Sequence, residues 1–180
     1  MTHRTLVATL LDEASFAPYG DVIDRRSVAA DVSINGGTAR RTSDLARVDA
    51  SPRGGHVALS LVRALPRPLP MRLECMERHL RSSQAFVPLD ATRWLVVVAA
   101  RGRAPAVRRL RAFLASGEQG VNYARGTWHH PLIALDRECR FLVVDRIADD
   151  GAEDCEVWPL AGLEVNVPLD FTEPHAAADR

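Results

Sequence analysis

Glu77-Arg78-His79-Leu80-Arg81-Ser82-Ser83-Gln84-Ala85-Phe86-Val87-Pro88 reads as a strand, a turn and a second strand. In a strand, side chains two apart share a face. Glu77 and His79 therefore lie on one face and Arg78 on the other. The four residues between His79 and Gln84 suit a tight hairpin return, and Gln84 can then approach the same face.

The strand texture continues on both sides of this stretch. Upstream, Met71, Leu73 and Cys75 alternate with Arg72, Glu74 and Met76, and Val57, Leu59 and Leu61 alternate with smaller residues. Downstream, Trp94-Leu95-Val96-Val97-Val98-Ala99-Ala100 is the longest apolar run and has the length of a strand. Leu132 to Leu135 and Phe141-Leu142-Val143-Val144 follow. Short strands split by Gly and Pro turns predict a mainly β domain, an antiparallel sandwich or barrel with a few peripheral helices. One helix is expected after Thr9, around Leu10 to Phe16, closed by Pro18-Tyr19-Gly20. A second is expected from Pro105, where Val107, Leu110, Phe113 and Leu114 recur at helical spacing with Arg108, Arg109 and Arg111 on a solvated face, and Ser116-Gly117 closes it. Residues 24 to 56 are loop-rich, with turns expected at Asn35-Gly36-Gly37 and Ser51-Pro52-Arg53-Gly54-Gly55. Residues 1–168 are expected to form a single catalytic domain and 169–180 a loosely ordered polar tail.

Composition narrows the function. Lys+Arg and Asp+Glu balance at 23 each, so nothing suggests a nucleic-acid partner. No apolar run approaches the ~20 residues a membrane span needs, and no signal peptide is legible at the start. The three cysteines, Cys75, Cys139 and Cys155, form no CxxC pair, which points to reduced thiols in a cytoplasmic protein.

The chemistry concentrates in the opening stretch and in Gly120-Val121-Asn122-Tyr123-Ala124-Arg125-Gly126-Thr127-Trp128-His129-His130-Pro131. Here a glycine turn delivers His129 or His130 at the head of another strand. His130 is expected to face away from its neighbour's side, and Trp128 to pack in the core. A carboxylate, two imidazoles and an amide then converge, a set that can ligate a divalent metal or run acid–base chemistry without one.

Glu77-x-His79-x(4)-Gln84 followed by Gly126-x-x-His129 resembles the cupin pattern H-x-H-x(3,4)-E and G-x-x-H, with Glu in place of the first His and Gln in place of the Glu. More specifically, Glu77-Arg78-His79, Gln84 to Pro88, Gly117-Glu118-Gln119-Gly120-Val121-Asn122-Tyr123 and Trp128-His129-His130-Pro131 are similar to the ureidoglycolate lyase family. Phe16 to Ile23, Ile34-Asn35-Gly36-Gly37, Arg41 with Asp44-Leu45-Ala46, Ser60 with Arg63, Leu110 to Phe113 and Asp145-Arg146 add to the likeness, which runs from about residue 8 to about 160.

That resemblance implies a cupin-like jelly-roll barrel and a homodimer. It implies a carbon–nitrogen lyase of the amidine-lyase type, acting on (S)-ureidoglycolate in allantoin and purine catabolism. Glu77, His79, Gln84 and His129 are then the expected catalytic residues, and Asn35, Arg41, Ser60 and Arg63 the expected substrate contacts. Arg41 or Arg63 could fork the substrate carboxylate. His79, Gln84 and His129 are the expected ligands of a divalent metal, with nickel, manganese and zinc as candidates. The Glu and Gln departures leave a metal-free site open. Two other classes also stay open: another cupin enzyme, such as an isomerase or a dioxygenase, and a non-enzymatic ligand-binding cupin.

Overall fold

The computed structural model describes residues 4–27, 31–51, 53–151 and 154–166. In chain order its elements are β1 (Arg4–Leu10), α1 (Glu13–Phe16), β2 (Gly20–Asp24), β3 (Val32–Ile34), β4 (Ala39–Arg41), β5 (Gly55–Ala64) and β6 (Met71–Arg78). They continue with β7 (Gln84–Pro88), β8 (Trp94–Ala99), β9 (Arg111–Ala115), β10 (Gln119–Tyr123), β11 (Trp128–His129), β12 (Ile133–Ala134), β13 (Cys139–Ala148) and β14 (Glu156–Asn166). The protein is mainly β with little helix, as the sequence predicts. The expected tail, 169–180, lies outside the described residues.

A seven-stranded sheet has the order β11-β6-β14-β1-β9-β8-β12, and β11 also pairs with β8, so the circuit of ladders returns to its starting strand. A five-stranded sheet has the order β2-β10-β7-β13-β5. Strand β8 explains why there are two cores. Trp94, Val96 and Val98 face a cluster shared with Phe86, Phe113, Val121, Phe141 and Val143, which joins the two sheets. Leu95, Val97 and Ala99 face a second cluster with Leu6, Leu73, Leu114 and Val165, enclosed by the larger sheet itself. A strand buried on both faces reads as a continuous apolar run rather than an alternation.

Several expectations change. The helix expected from Pro105 is a single 3-10 turn at Val107–Arg109, after which Leu110 leaves helical geometry (φ −57°, ψ 139°) and the chain becomes β9. Its apolar residues repeat because Phe113 packs in the first core and Ala112 and Leu114 in the second, so both faces of this strand are covered. Short apolar runs cannot be assigned by periodicity alone. Near the start, Thr9 and Leu10 belong to β1, and the helix begins only at Glu13, where Asp12 caps it by accepting from the Ser15 amide at 2.9 Å. Strand β1 lies between β9 and β14 and runs parallel to both, whereas the other ladders are antiparallel. The Asn35-Gly36-Gly37 turn is present, with φ of 53°, 65° and 95°, and it closes the separate two-stranded sheet β3-β4. No helix among the described residues is long and apolar enough to cross a membrane.

The opening stretch is not a hairpin. Strand β6 lies in the larger sheet and β7 in the smaller one. The five residues between them, His79 to Ser83, carry the chain from one sheet to the other. A segment from further upstream fastens this crossing: Ala50 bridges to Ser82, the Ser83 amide donates to the Asp49 carbonyl at 2.6 Å, and the Ser51 amide donates to the Arg81 carbonyl at 2.8 Å.

Candidate active site

The crossing leaves Glu77 on the larger sheet, with His79 just past the end of β6, and Gln84 on the smaller sheet, so the amide faces them across the gap. His129 arrives from a third direction. Gly126 takes φ 77°, a conformation that favours glycine, and its amide donates to the His79 carbonyl at 2.7 Å. Thr127 then anchors its hydroxyl on the Tyr19 carbonyl at 2.8 Å, and two-residue β11 sets His129 directly opposite Glu77. Tyr123 of β10 stacks on the His129 ring, with centroids 4.1 Å apart and planes 10° apart.

Four side chains meet here. His129 Nε2 lies 3.5 Å from Glu77 Oε1 and 3.2 Å from Gln84 Oε1. Its Nδ1 donates to the Thr127 carbonyl at 3.0 Å. The His79 and His129 rings stack with centroids 5.6 Å apart. His79 donates from Nδ1 to the Asp154 carbonyl at 3.0 Å, which leaves Nε2 buried and without a hydrogen-bond partner among the described residues. Gln84 donates from Nε2 to Asp145 Oδ2 at 3.1 Å.

Burial sets the electrostatics. It pushes the His79 pKa below its ordinary value, helped by the neighbouring His129 and opposed by Glu77. Burial pushes Glu77 up, but its bond to His129 and the charges of His129, His79 and His130 outweigh that and hold the carboxyl below its usual range. The Tyr123 phenol is pushed up by complete burial and by the charge of Glu77, so it stays protonated. A cavity of about 230 Å³ opens against His79, walled by Arg146, Ile147, Asp154 and Cys155. That is room for a metabolite-sized molecule.

One ligand atom each from Glu77, His79 and His129 can be chosen so that all lie within 4.8 Å of one another. The unpartnered His79 Nε2 is the state an imidazole needs to bind a metal, so this triad fits a divalent ion. It differs from the expected set of His79, Gln84 and His129 by placing Glu77 among the donors.

The structure does not bring every expected residue to the cluster. Asn35, in the turn between β3 and β4, and Arg41, at the end of β4, are both exposed. Arg63 is exposed on β5. Ser60 is half-buried there and shares a face with the buried Ala64. Arg78 takes the face opposite Glu77 and lies 4.4 Å over the Trp128 ring, which is buried in the second core as expected. His130 is buried apart from the triad, with Nδ1 donating to the Pro131 carbonyl at 2.7 Å. Sequence reasoning gave no role to Asp145, Asp154 or Tyr123. Tyr123 and Asp145 both lie inside stretches that carried the resemblance, which was the only signal available for them.

A sequence model of the ureidoglycolate lyase family matches residues 3–166. A ureidoglycolate lyase of Burkholderia cepacia is 50% identical over 172 residues, covering 94% of this chain and 92% of that protein. One of Burkholderia mallei (strain NCTC 10229) is 49% identical over 146 residues, covering 81% and 85%. One of Azotobacter vinelandii (strain DJ) is 44% identical over 143 residues, covering 79% and 86%. A solved dTDP sugar isomerase from Desulfovibrio desulfuricans G20 aligns at TM-score 0.44 and 18% identity over 79% of this chain and 86% of that one, and no functional reading rests on it. With the family's match spanning β1 to β14 and so enclosing every residue of the cluster, this chain belongs to the ureidoglycolate lyase family.

Proposed function

We propose that the protein is a ureidoglycolate lyase that splits (S)-ureidoglycolate into glyoxylate and urea, an amidine-lyase-type step of allantoin and purine catabolism in the cytoplasm. The observation that carries this reading is the convergence of Glu77, His79, Gln84 and His129 in a chain matched to that family from residue 3 to 166. Strands β1 and β14 pair although they lie at opposite ends of the described chain, which supports reading 1–168 as one catalytic domain. No disulfide joins Cys75, Cys139 and Cys155, in keeping with a reducing compartment.

The substrate carries a carboxylate, a hydroxyl and a ureido nitrogen on one carbon. Elimination needs a base for the hydroxyl proton and an acid for the departing urea nitrogen. His79 suits the base: its Nδ1 proton is tied to the Asp154 carbonyl, its Nε2 lone pair is unclaimed, and burial favours the neutral ring. His129 suits the acid, because its Nε2 faces two acceptors, Glu77 and Gln84, that hold a proton on that side. Glu77, kept anionic, faces His129 Nε2 and orients the ring. Asn35, Arg41, Ser60 and Arg63 remain proposed substrate contacts. An alanine variant with unchanged KM would remove that residue from the set.

The proximity of the Glu77, His79 and His129 donors favours a second reading, in which these residues hold a divalent nickel, manganese or zinc ion. When bound, such an ion would act as a Lewis acid on the substrate's oxygens.

One assay addresses the reaction and the metal together. Purified protein given racemic ureidoglycolate should yield urea and glyoxylate in equal amounts without ammonia, because a lyase leaves urea whole. Stoichiometric ammonia in a urease-free assay would refute the lyase. Activity that disappears with a chelator and returns with one of the three ions favours the metal-held site, and activity indifferent to the chelator favours the two imidazoles acting alone.

We also propose a homodimer. Strand β5 is the outer edge of its sheet, and Leu59 and Leu61 on one face are 70% and 71% exposed. An apolar row on an edge strand is hazardous unless something covers it. Light scattering should give twice the mass of the chain, and Leu59→Asp with Leu61→Asp should halve it. A wild-type monomer at micromolar concentration would overturn this.

A further inference from the structure

We propose that Asp145 is a positioning residue that decides which end of the Gln84 amide faces the catalytic cluster. The proposal rests on the lyase reading of that cluster. The ladder between β13 and β7 runs through Val144 opposite Ala85, so Asp145 and Gln84 form the next opposed pair. Asp145 shares the inward face with the buried Phe141 and Val143. Its Oδ2 accepts from Gln84 Nε2 at 3.1 Å, and Gln84 is only 8% exposed.

A carboxylate can only accept, so it compels the amide to turn its NH2 toward Asp145 and its oxygen toward His129. That oxygen lies 3.2 Å from His129 Nε2. Flipping the amide would set Gln84 Oε1 against a carboxylate oxygen and point an N–H at the cluster. Asp145 thereby determines that the cluster meets an acceptor at this position. It touches neither His79 nor His129 by hydrogen bond, and acts through Gln84.

The same pair accounts for a departure from the cupin pattern, which has Glu where this chain has Gln84. A carboxylate at that position would stand about 3.1 Å from the Asp145 carboxylate, two like charges in a half-buried site. The partners are therefore complementary in a reversible sense. Exchanging them, with the carboxylate at 84 and the amide at 145, keeps the total charge, restores one N–H donor between them and still presents an oxygen to His129.

The test is the four-member cycle of wild type, D145N, Q84E and the double variant D145N/Q84E, read by steady-state kinetics and by thermal melting. Each single variant should lower kcat by roughly 10-fold with little change in KM, and the double variant should return to within roughly 3-fold of wild type, a coupling of the size found for contacting groups. The melting temperatures should show the same rescue. Additive losses in kcat, or wild-type kcat in D145N, would overturn the proposal. So would recovery of the melting temperature without recovery of kcat, because the pair would then be structural only. A wild type inactive on ureidoglycolate would sink the lyase reading instead, and the melting cycle would still decide whether Asp145 and Gln84 are coupled.

Discussion

His79→Ala should lower the turnover of ureidoglycolate by at least ~100-fold, the low end for a positioned acid–base group, and leave the fold intact. His79 lies just beyond the last residue of β6, its Nδ1 bonds a backbone carbonyl, and its Nε2 has no hydrogen-bond partner among the described residues to lose. Truncation removes the lone pair proposed to take the substrate's proton and disturbs little else. His129 should show at least the same catalytic loss, but alanine there does more. His129 is 1% exposed and stacks on Tyr123, so truncation opens a cavity and leaves Glu77 without the imidazole that faces it. His129→Asn is therefore the cleaner variant, since it keeps polar volume against Gln84 while removing the transferable proton. Steady-state kinetics alongside circular dichroism melts check both. Near-normal turnover in His79→Ala and His129→Asn together would remove the cluster as the active site, and attention would move to Asn35, Arg41 and Arg63.

The part of the site that was legible in sequence is the part that local periodicity controls. Residues two apart on a strand must share a face, which put Glu77 with His79, and a glycine turn at Gly126 announced the return of the chain at His129. The route by which Gln84 joins them was not legible. Four residues fit a hairpin and a crossing between sheets equally well, and only the pairing partners of β6 and β7 distinguish the two. Asp145 lies 61 residues beyond Gln84, and its role depends on a ladder register that no local pattern encodes. The ends of the chain were missed for the same reason. Strand β1 completes the larger sheet by pairing in parallel with β9 and β14, more than a hundred residues away in sequence, and its own residues carry only the weak alternation of Leu6 and Ala8 with exposed Val7. Strand β9 was misread as a helix because burial on both faces erases the period that separates the two structures.

Double-sided burial also locates the residue whose loss should cost the fold most. Trp94→Ala should destabilise the protein by ~3–5 kcal/mol, the range for removing a fully buried large aromatic. Trp94 is 0% exposed, its ring meets Phe141 at 5.0 Å edge to face, and its Nε1 donates to the Gln119 carbonyl at 3.0 Å. Truncation deletes the packing between the two sheets and leaves that carbonyl without its donor. At about 2–4 °C per kcal/mol for a domain of this size, the melting temperature should fall by roughly 6–20 °C. Leu59→Ala offers the contrast, because that leucine is 70% exposed in the single chain. At concentrations where the protein is monomeric, it should shift stability by no more than about 0.5 kcal/mol. Activity should follow stability in Trp94→Ala, because the core that holds Trp94 also holds Tyr123, the ring on which His129 rests. A fall in melting temperature under ~2 °C, well below what the loss of a buried aromatic allows, would mean that β8 is not packed between two cores. The placement of His129 through Tyr123 would then lose its foundation.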